Sequence, residues 1–217
     1  MCWNAPVSLI TYIISFITCI TLWRRNWQND RPLATFISCF ALMQLFEFFM
    51  WRNMGDHSWA SKLSFLTVLL QPISLAGSLL YFRSQFYSAF EKLLLLCISL
   101  VVAIKTLGGA YFAFHTDAKR SWLSTVGPHC HLQWWFMQHS KDLPAWIRPV
   151  KHYFLALLLG LALIKPFSTA IVYVLMFGFS FGITHMFYGN EYGSLWCWIA
   201  NITGFVALLM PKLVQYL

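Results

Sequence analysis

Long apolar runs separated by charged residues dominate the chain, and each run is continuously apolar rather than alternating between apolar and polar positions. About 20 apolar residues in a row are enough to cross the hydrocarbon core of a membrane as an α-helix. Continuous runs disfavour a transmembrane β-barrel, whose strands alternate in polarity. The runs predict seven spans, at about residues 6–23, 33–51, 63–82, 93–114, 149–164, 166–187 and 194–213.

The connections between these runs are short, except for a loop at residues 115–148. No repeat or low-complexity segment divides the chain. Residues 1–217 are therefore predicted to form a single membrane domain of the all-α class, a polytopic bundle of seven transmembrane helices.

The composition supports this class of protein, because 59% of the residues are hydrophobic and only 10% are charged. Soluble domains carry about 25% charged residues, so this chain could not cover a water-facing surface. The same figures exclude intrinsic disorder and argue against a nucleic-acid module, despite the formal net charge of +8. We expect the basic residues to contact the anionic head groups of the lipid bilayer, and we expect no nucleic-acid partner.

The positions of lysine and arginine in the short loops predict the orientation, because cytoplasmic loops are rich in these residues. If the N-terminus lies outside, the outer short loops hold only Arg52 and Lys62. The inner side then holds Arg24, Arg25, Arg31, Arg83, Lys92, Lys165 and Lys212. The sequence thus predicts an outer N-terminus and an outer 115–148 loop.

Polar residues inside the second and third spans are the first candidates for function. Gln44 and Glu47 share one helical face, and Gln71 precedes the helix-kinking Pro72. A charge at the centre of a membrane costs about 2.5–3.5 kcal/mol on insertion scales, so Glu47 needs a partner or water. The two glutamines are expected at nearly equal depth, where their amides could meet.

His185 in the sixth span and Asn201 in the seventh fall in the same outer half. Together with Gln44, Glu47 and Gln71 they suggest a hydrated pocket open to the outer side. The amides and the histidine also have purely structural interpretations. Asparagine and glutamine often join helices through hydrogen bonds, and a histidine can lie at the membrane–water interface.

The role of Lys105 depends on where the fourth span ends. If Gly108 and Gly109 end the helix, the lysine reaches the outer surface, and this is the interpretation we favour. If the helix continues to Phe114, the ammonium is buried and Glu47 is the expected counter-ion.

The long loop contains His129, Cys130 and His131, a weak metal candidate because the tetrahedral set is incomplete. We expect no cofactor. Cys2 and Cys130 both fall on the predicted outer side, where an oxidising environment would allow a disulfide between them.

Several segments resemble an uncharacterised seven-transmembrane protein family of giant DNA viruses and some protists. They are Met1–Ser8, Asp30–Ala34, Gln44 with Glu47 and Trp51, Gln71–Pro72, Cys130–Leu132 and Ser194–Trp198. The resemblance covers nearly the whole chain. It implies a multi-pass membrane protein of a host-cell or virion membrane, and it implies no activity.

The function these features favour is a channel or transporter for protons, other small ions or a small solute. Glu47 would titrate or bind the cation, and Gln44, Gln71 and Asn201 would line the cavity. Lys105 is a further cavity candidate, and His185 would act as a gate or relay. The pathway could lie within one chain or between the protomers of a homo-oligomer. The alternatives are a membrane-embedded lipid-metabolising enzyme, for which no complete catalytic set is found, and a non-catalytic receptor-like or envelope protein.

Overall fold

The structure, a computed structural model, describes residues 4–116, 121–148 and 150–213. Apart from a two-stranded antiparallel hairpin, its regular structure is helical. The α-helices are α1 (Ala5–Arg25), α2 (Asp30–Arg52), α3 (Ser58–Arg83), α4 (Ala89–Tyr111), α5 (Trp135–Gln138), α6 (Val150–Ala162), α7 (Phe167–Tyr188) and α8 (Tyr192–Leu213). Short 3₁₀-helices lie at Ser84–Phe86 and Gly189–Glu191, and a π-helical turn lies at Phe112–Thr116. The strands are β1 (Thr125–Val126) and β2 (Leu132–Gln133).

Six helices within the described ranges are long and apolar enough to cross a membrane, namely α1, α2, α3, α4, α7 and α8. They indicate an integral, multi-pass membrane protein of the all-α class. The fifth predicted span corresponds to α6, which has 13 residues. At a rise of 1.5 Å per residue this helix covers only about 20 Å, less than the roughly 30 Å of a hydrocarbon core. Six full spans are therefore found in the described ranges where the sequence predicts seven.

Three helices form the interior of the bundle. More than half of the apolar window of α2, α3 and α8 is buried, against less than a third for α1, α4 and α7. The first four helices pack against one another in sequence order, and α8 returns to pack against α1, α2 and α7. The polar residues of α2, α3 and α8 consequently meet inside the protein rather than in lipid.

Local signals in the sequence define several helix ends. The Asn4 side chain accepts a hydrogen bond from the Val7 amide, and Ser88 and Glu91 form a reciprocal capping box at the start of α4. Asn26 ends α1 in the left-handed conformation, with φ of 52°. The largest differences from the predicted boundaries are at the starts of two helices, because α3 begins at Ser58 and α4 at Ala89.

Residues 121–148, which we call the lid, cover one end of the bundle. We call this the loop end, and it also carries the α2–α3 and α7–α8 connections. Trp122 stacks on Trp135 with ring centroids 4.4 Å apart. The ring centroid of Phe65, in α3, lies 5.5 Å from that of Trp122. Trp122, Trp134 and Phe136 are almost fully buried. Aromatic burial of this extent makes the lid an integral part of the fold.

The expectation that Gly108 and Gly109 end the fourth helix is wrong, because α4 continues through both to Tyr111. Gly108 serves packing instead, since a Cβ there would overlap the indole of Trp146 in the lid. A π-helical turn at Phe112–Thr116 continues this helix, and the apolar span runs to His115. Lys105 therefore lies about 15 Å inside the span, and only 9% of its surface is exposed.

Candidate functional site

Glu47 lies on the inward face of α2, about 8 Å from the loop end of that helix, and is 3% exposed. The Trp134 indole Nε1–H of the lid donates a hydrogen bond of 3.0 Å to Glu47 Oε1. The side chains of Gln44 and of Ser194 at the start of α8 lie beside the same carboxyl group. A residue of the lid thus directly covers the buried acid.

Gln71 of α3 forms the second half of this cluster and is fully buried. The Tyr153 hydroxyl of α6 donates a hydrogen bond to Gln71 Oε1. The thiol of Cys197 in α8 lies beside Gln71 and close to Glu47, so it connects the two halves. We call Gln44, Glu47, Gln71, Tyr153, Ser194 and Cys197 the polar cluster.

The two glutamine side chains have unused hydrogen-bonding capacity. Gln44 lies beside Glu47 and Gln71 beside Cys197. Among the described residues, however, neither Gln44 Nε2 nor Gln71 Nε2 makes a hydrogen bond of good geometry, although both atoms are buried. The two amides are therefore not joined through their nitrogens. Buried polar groups are nearly always satisfied, so two such donors in one cluster indicate a place for a water molecule or another acceptor.

The polar cluster is closed on both sides along the bundle axis. The lid covers it at the loop end, and a buried aromatic group lies beneath it, where Phe40 contacts Phe36, Phe177 and Trp196 at centroid distances of 5.0–6.1 Å. A cavity of about 10 Å³ adjoins Trp134, Tyr153 and Cys197. That volume holds about one water molecule. The site is therefore occluded.

Two predicted cavity residues lie apart from the cluster. Asn201 joins α8 to α1: it accepts a 2.7 Å hydrogen bond from the Ser15 hydroxyl and donates one of 2.8 Å to the Cys197 carbonyl. This is the helix-joining role that the sequence left open. His185 is exposed on α7 and stacks on Phe181 with ring centroids 5.7 Å apart. The structure does not bring it to Glu47.

Lys105 is buried, yet its polar contact is not with Glu47. Lys105 Nζ donates to the Arg148 backbone carbonyl at 3.4 Å. Among the described residues no carboxylate forms an ion pair with Lys105. The expectation that Glu47 serves as its counter-ion is therefore wrong, because Lys105 contacts the Arg148 carbonyl and Glu47 contacts the Trp134 indole, both in the lid.

Glu191, in the turn between α7 and α8, is a residue that the sequence reasoning missed. It is 1% exposed and accepts hydrogen bonds from the His129 and His131 amides, at 3.1 and 3.0 Å. His129 Nδ1 lies 3.0 Å from its Oε1. The left-handed φ of 62° at Cys130 turns the two amides toward one point, an anion-binding arrangement of backbone N–H groups. Glu191 therefore fastens the lid to the bundle.

The loop residues proposed as metal ligands are engaged in this fastening. No group of three or more His, Cys, Asp or Glu residues within the described ranges is placed to hold a metal ion. Cys130 is disulfide-bonded, and its predicted partner Cys2 lies outside the described residues. Burial lowers the pKa of His131, an effect that the nearby Glu191 carboxylate opposes, so its imidazole is favoured in the neutral form.

His57 is a second missed residue and a second lid contact. It is fully buried in the α2–α3 connection, where its Nδ1 lies 2.9 Å from the Asn53 carbonyl. Its Nε2 accepts a 2.8 Å hydrogen bond from the Ser124 amide of the lid. Both ring nitrogens are thus used, with the proton on Nδ1. A histidine just before a helix gave no sequence signal for this contact.

No family model, curated protein or solved structure matches the chain. The resemblance to the viral family therefore remains a prediction.

Proposed function

We propose that this protein carries protons across the membrane, with Glu47 as the group that binds the proton and the lid as the gate. The proposal depends on one observation. The Glu47 carboxyl group is buried in a spanning helix, and the Trp134 indole of the lid donates a hydrogen bond to it. Intramembrane acids are costly and mark ion and proton pathways. The occluded geometry favours a carrier or a closed channel over an open pore.

The chemistry of the polar cluster favours a proton over a metal cation. Its unused groups are the amide nitrogens of Gln44 and Gln71, which are donors and repel a cation. A dehydrated alkali ion would need several oxygen ligands, and the adjoining cavity holds about one water. A proton needs only the Glu47 carboxylate and a water to deliver it.

We further infer that the loop end faces outward and that α6 completes a seventh crossing together with lid residues 143–148. Lys165, just after α6, forms a 2.6 Å ion pair with Glu91 at the start of α4, so α6 reaches the end opposite the lid. Most short-loop basic residues also fall at that opposite end, which supports an inner location.

The direct test is proton flux in liposomes containing the purified protein and a pH-sensitive dye. Glu47→Gln keeps the shape of the side chain but cannot release a proton, so we expect flux to fall to that of protein-free vesicles. Asp56→Asn is the matched control, because Asp56 is exposed in the α2–α3 turn and should leave flux unchanged. Unchanged flux in a folded Glu47→Gln protein would remove this acid from the mechanism.

Trp134→Phe tests the gate. Phenylalanine preserves most of the buried ring but removes the N–H that donates to Glu47. We expect closure of the lid to weaken by about 1–2 kcal/mol, with faster amide hydrogen exchange in residues 121–148 and increased proton flux. Trp59→Phe is the control, since Trp59 is 44% exposed at the same end. Equal exchange in both variants would show that this hydrogen bond does not hold the lid.

A further inference from the structure

A groove of about 250 Å³ runs along the bundle between α4 and α6, with α3 as its floor. Its length, from Lys105 to Cys97 along α4, is about 12 Å. The flanking side chains of Val101 and Leu155 are 57% and 58% exposed, so the groove opens sideways where lipid lies. The length and the apolar lining of this groove are suited to one segment of a single acyl chain.

The charge at one end of the groove is unmatched. Lys105 lines the groove and is 9% exposed. Its ammonium makes one long hydrogen bond, of 3.4 Å, to the Arg148 carbonyl. His152 lines the same end. No carboxylate among the described side chains pairs with the ammonium. A buried ammonium at membrane depth is costly unless an anion or water compensates it.

We propose that this groove binds an anionic phospholipid, with one acyl chain along α4 and α6 and the phosphate at Lys105. The apolar span of α4 continues to His115, so Lys105 lies about 15 Å inside it, and the groove gives the phosphate a path inward to the ammonium. The phosphate supplies the missing negative charge, and the chain fills the apolar slot. This site is separate from Glu47 and does not depend on proton transport.

The test is lipid binding by the full-length protein in detergent, measured by native mass spectrometry with phosphatidylglycerol and phosphatidylcholine. The wild-type protein should prefer phosphatidylglycerol, and Lys105→Met should weaken its binding about fivefold, whereas Lys105→Arg should retain it. Lys92→Met is the control, because Lys92 is exposed at the opposite end of α4. An equal effect of Lys92→Met and Lys105→Met would overturn the proposal.

Two further measurements of lipid binding do not require a Lys105 variant. Val101→Trp fills the groove without touching the charge and should weaken binding of both lipids, whereas Leu175→Trp on exposed α7 should not. A phosphatidylglycerol with a photoreactive acyl chain should label groove residues of α4 and α6 in the wild-type protein. Labelling confined to other helices, or binding of oleate in place of phosphatidylglycerol, would contradict a phospholipid site.

Discussion

Replacing Asp30 with alanine is expected to destabilise the protein by about 3 kcal/mol, because it leaves the Arg25 guanidinium without its counter-ion. Asp30 is 2% exposed, and its two oxygens accept hydrogen bonds from Arg25 Nε and Nη2 at 2.7 and 2.8 Å. It also accepts the Trp27 amide at 2.8 Å. The pair therefore defines the tight connection between α1 and α2.

Arg25 extends this connection to a third helix. Its Nη2 and Nη1 donate to the Ala207 and Leu208 carbonyls of α8, at 2.8 and 2.7 Å. Pro211, four residues after Ala207, has no N–H to give that carbonyl its helical partner. The guanidinium replaces the missing donor. Loss of Asp30 would therefore loosen α1, α2 and α8 together.

Thermal unfolding in detergent measures this effect. Asp30→Asn retains one acceptor oxygen and should lower the midpoint less than Asp30→Ala. Arg24→Met is the control, since Arg24 is adjacent but exposed, and it should leave the midpoint close to that of the wild type. Similar midpoints for Asp30→Ala and the wild type would show that the ion pair contributes no net stability, as some partly exposed pairs do not.

The residues of the polar cluster that could be predicted are those whose position follows from helical geometry alone. Gln44 and Glu47 share a face because they are three residues apart. Gln71 was identified as a polar residue beside Pro72 inside an apolar span. The contribution of Trp134 could not be predicted, because it depends on how the lid docks onto the bundle. Glu191 could not be predicted as a lid contact for the same reason.

His185 and Lys105 show what a helical pattern leaves undetermined. Helix α7 is apolar on every side, so its sequence does not indicate which face turns inward, and His185 turns outward. For Lys105 the uncertainty lay in Gly108, since a glycine in a helix can end it or admit a neighbour closely. Here Trp146 occupies the space at Gly108. Both outcomes depend on tertiary packing rather than on local sequence.

The contact that closes the lid predicts a second large effect, at Glu191. Glu191→Ala removes the acceptor for the His129 and His131 amides together with the His129 Nδ1 contact. Hydrogen bonds to a charged group contribute about 1.5–3 kcal/mol each, and a buried amide left unpaired is costly. We expect the free energy of local lid opening to fall by at least about 3 kcal/mol, with rapid hydrogen exchange across residues 121–148.

Gly127→Ala should reproduce this opening without altering the acid. A Cβ at Gly127 would overlap the Glu191 carboxyl group, whereas one at Gly55, in the α2–α3 turn, meets no atom within 4 Å. Gly55→Ala is therefore the matched control, and it should exchange like the wild type. Because an open lid also withdraws Trp134 from Glu47, proton flux should rise in Gly127→Ala and remain low in Gly55→Ala. An open lid without increased flux would separate the fastening of the lid, which depends on Glu191, from the gating role proposed for Trp134.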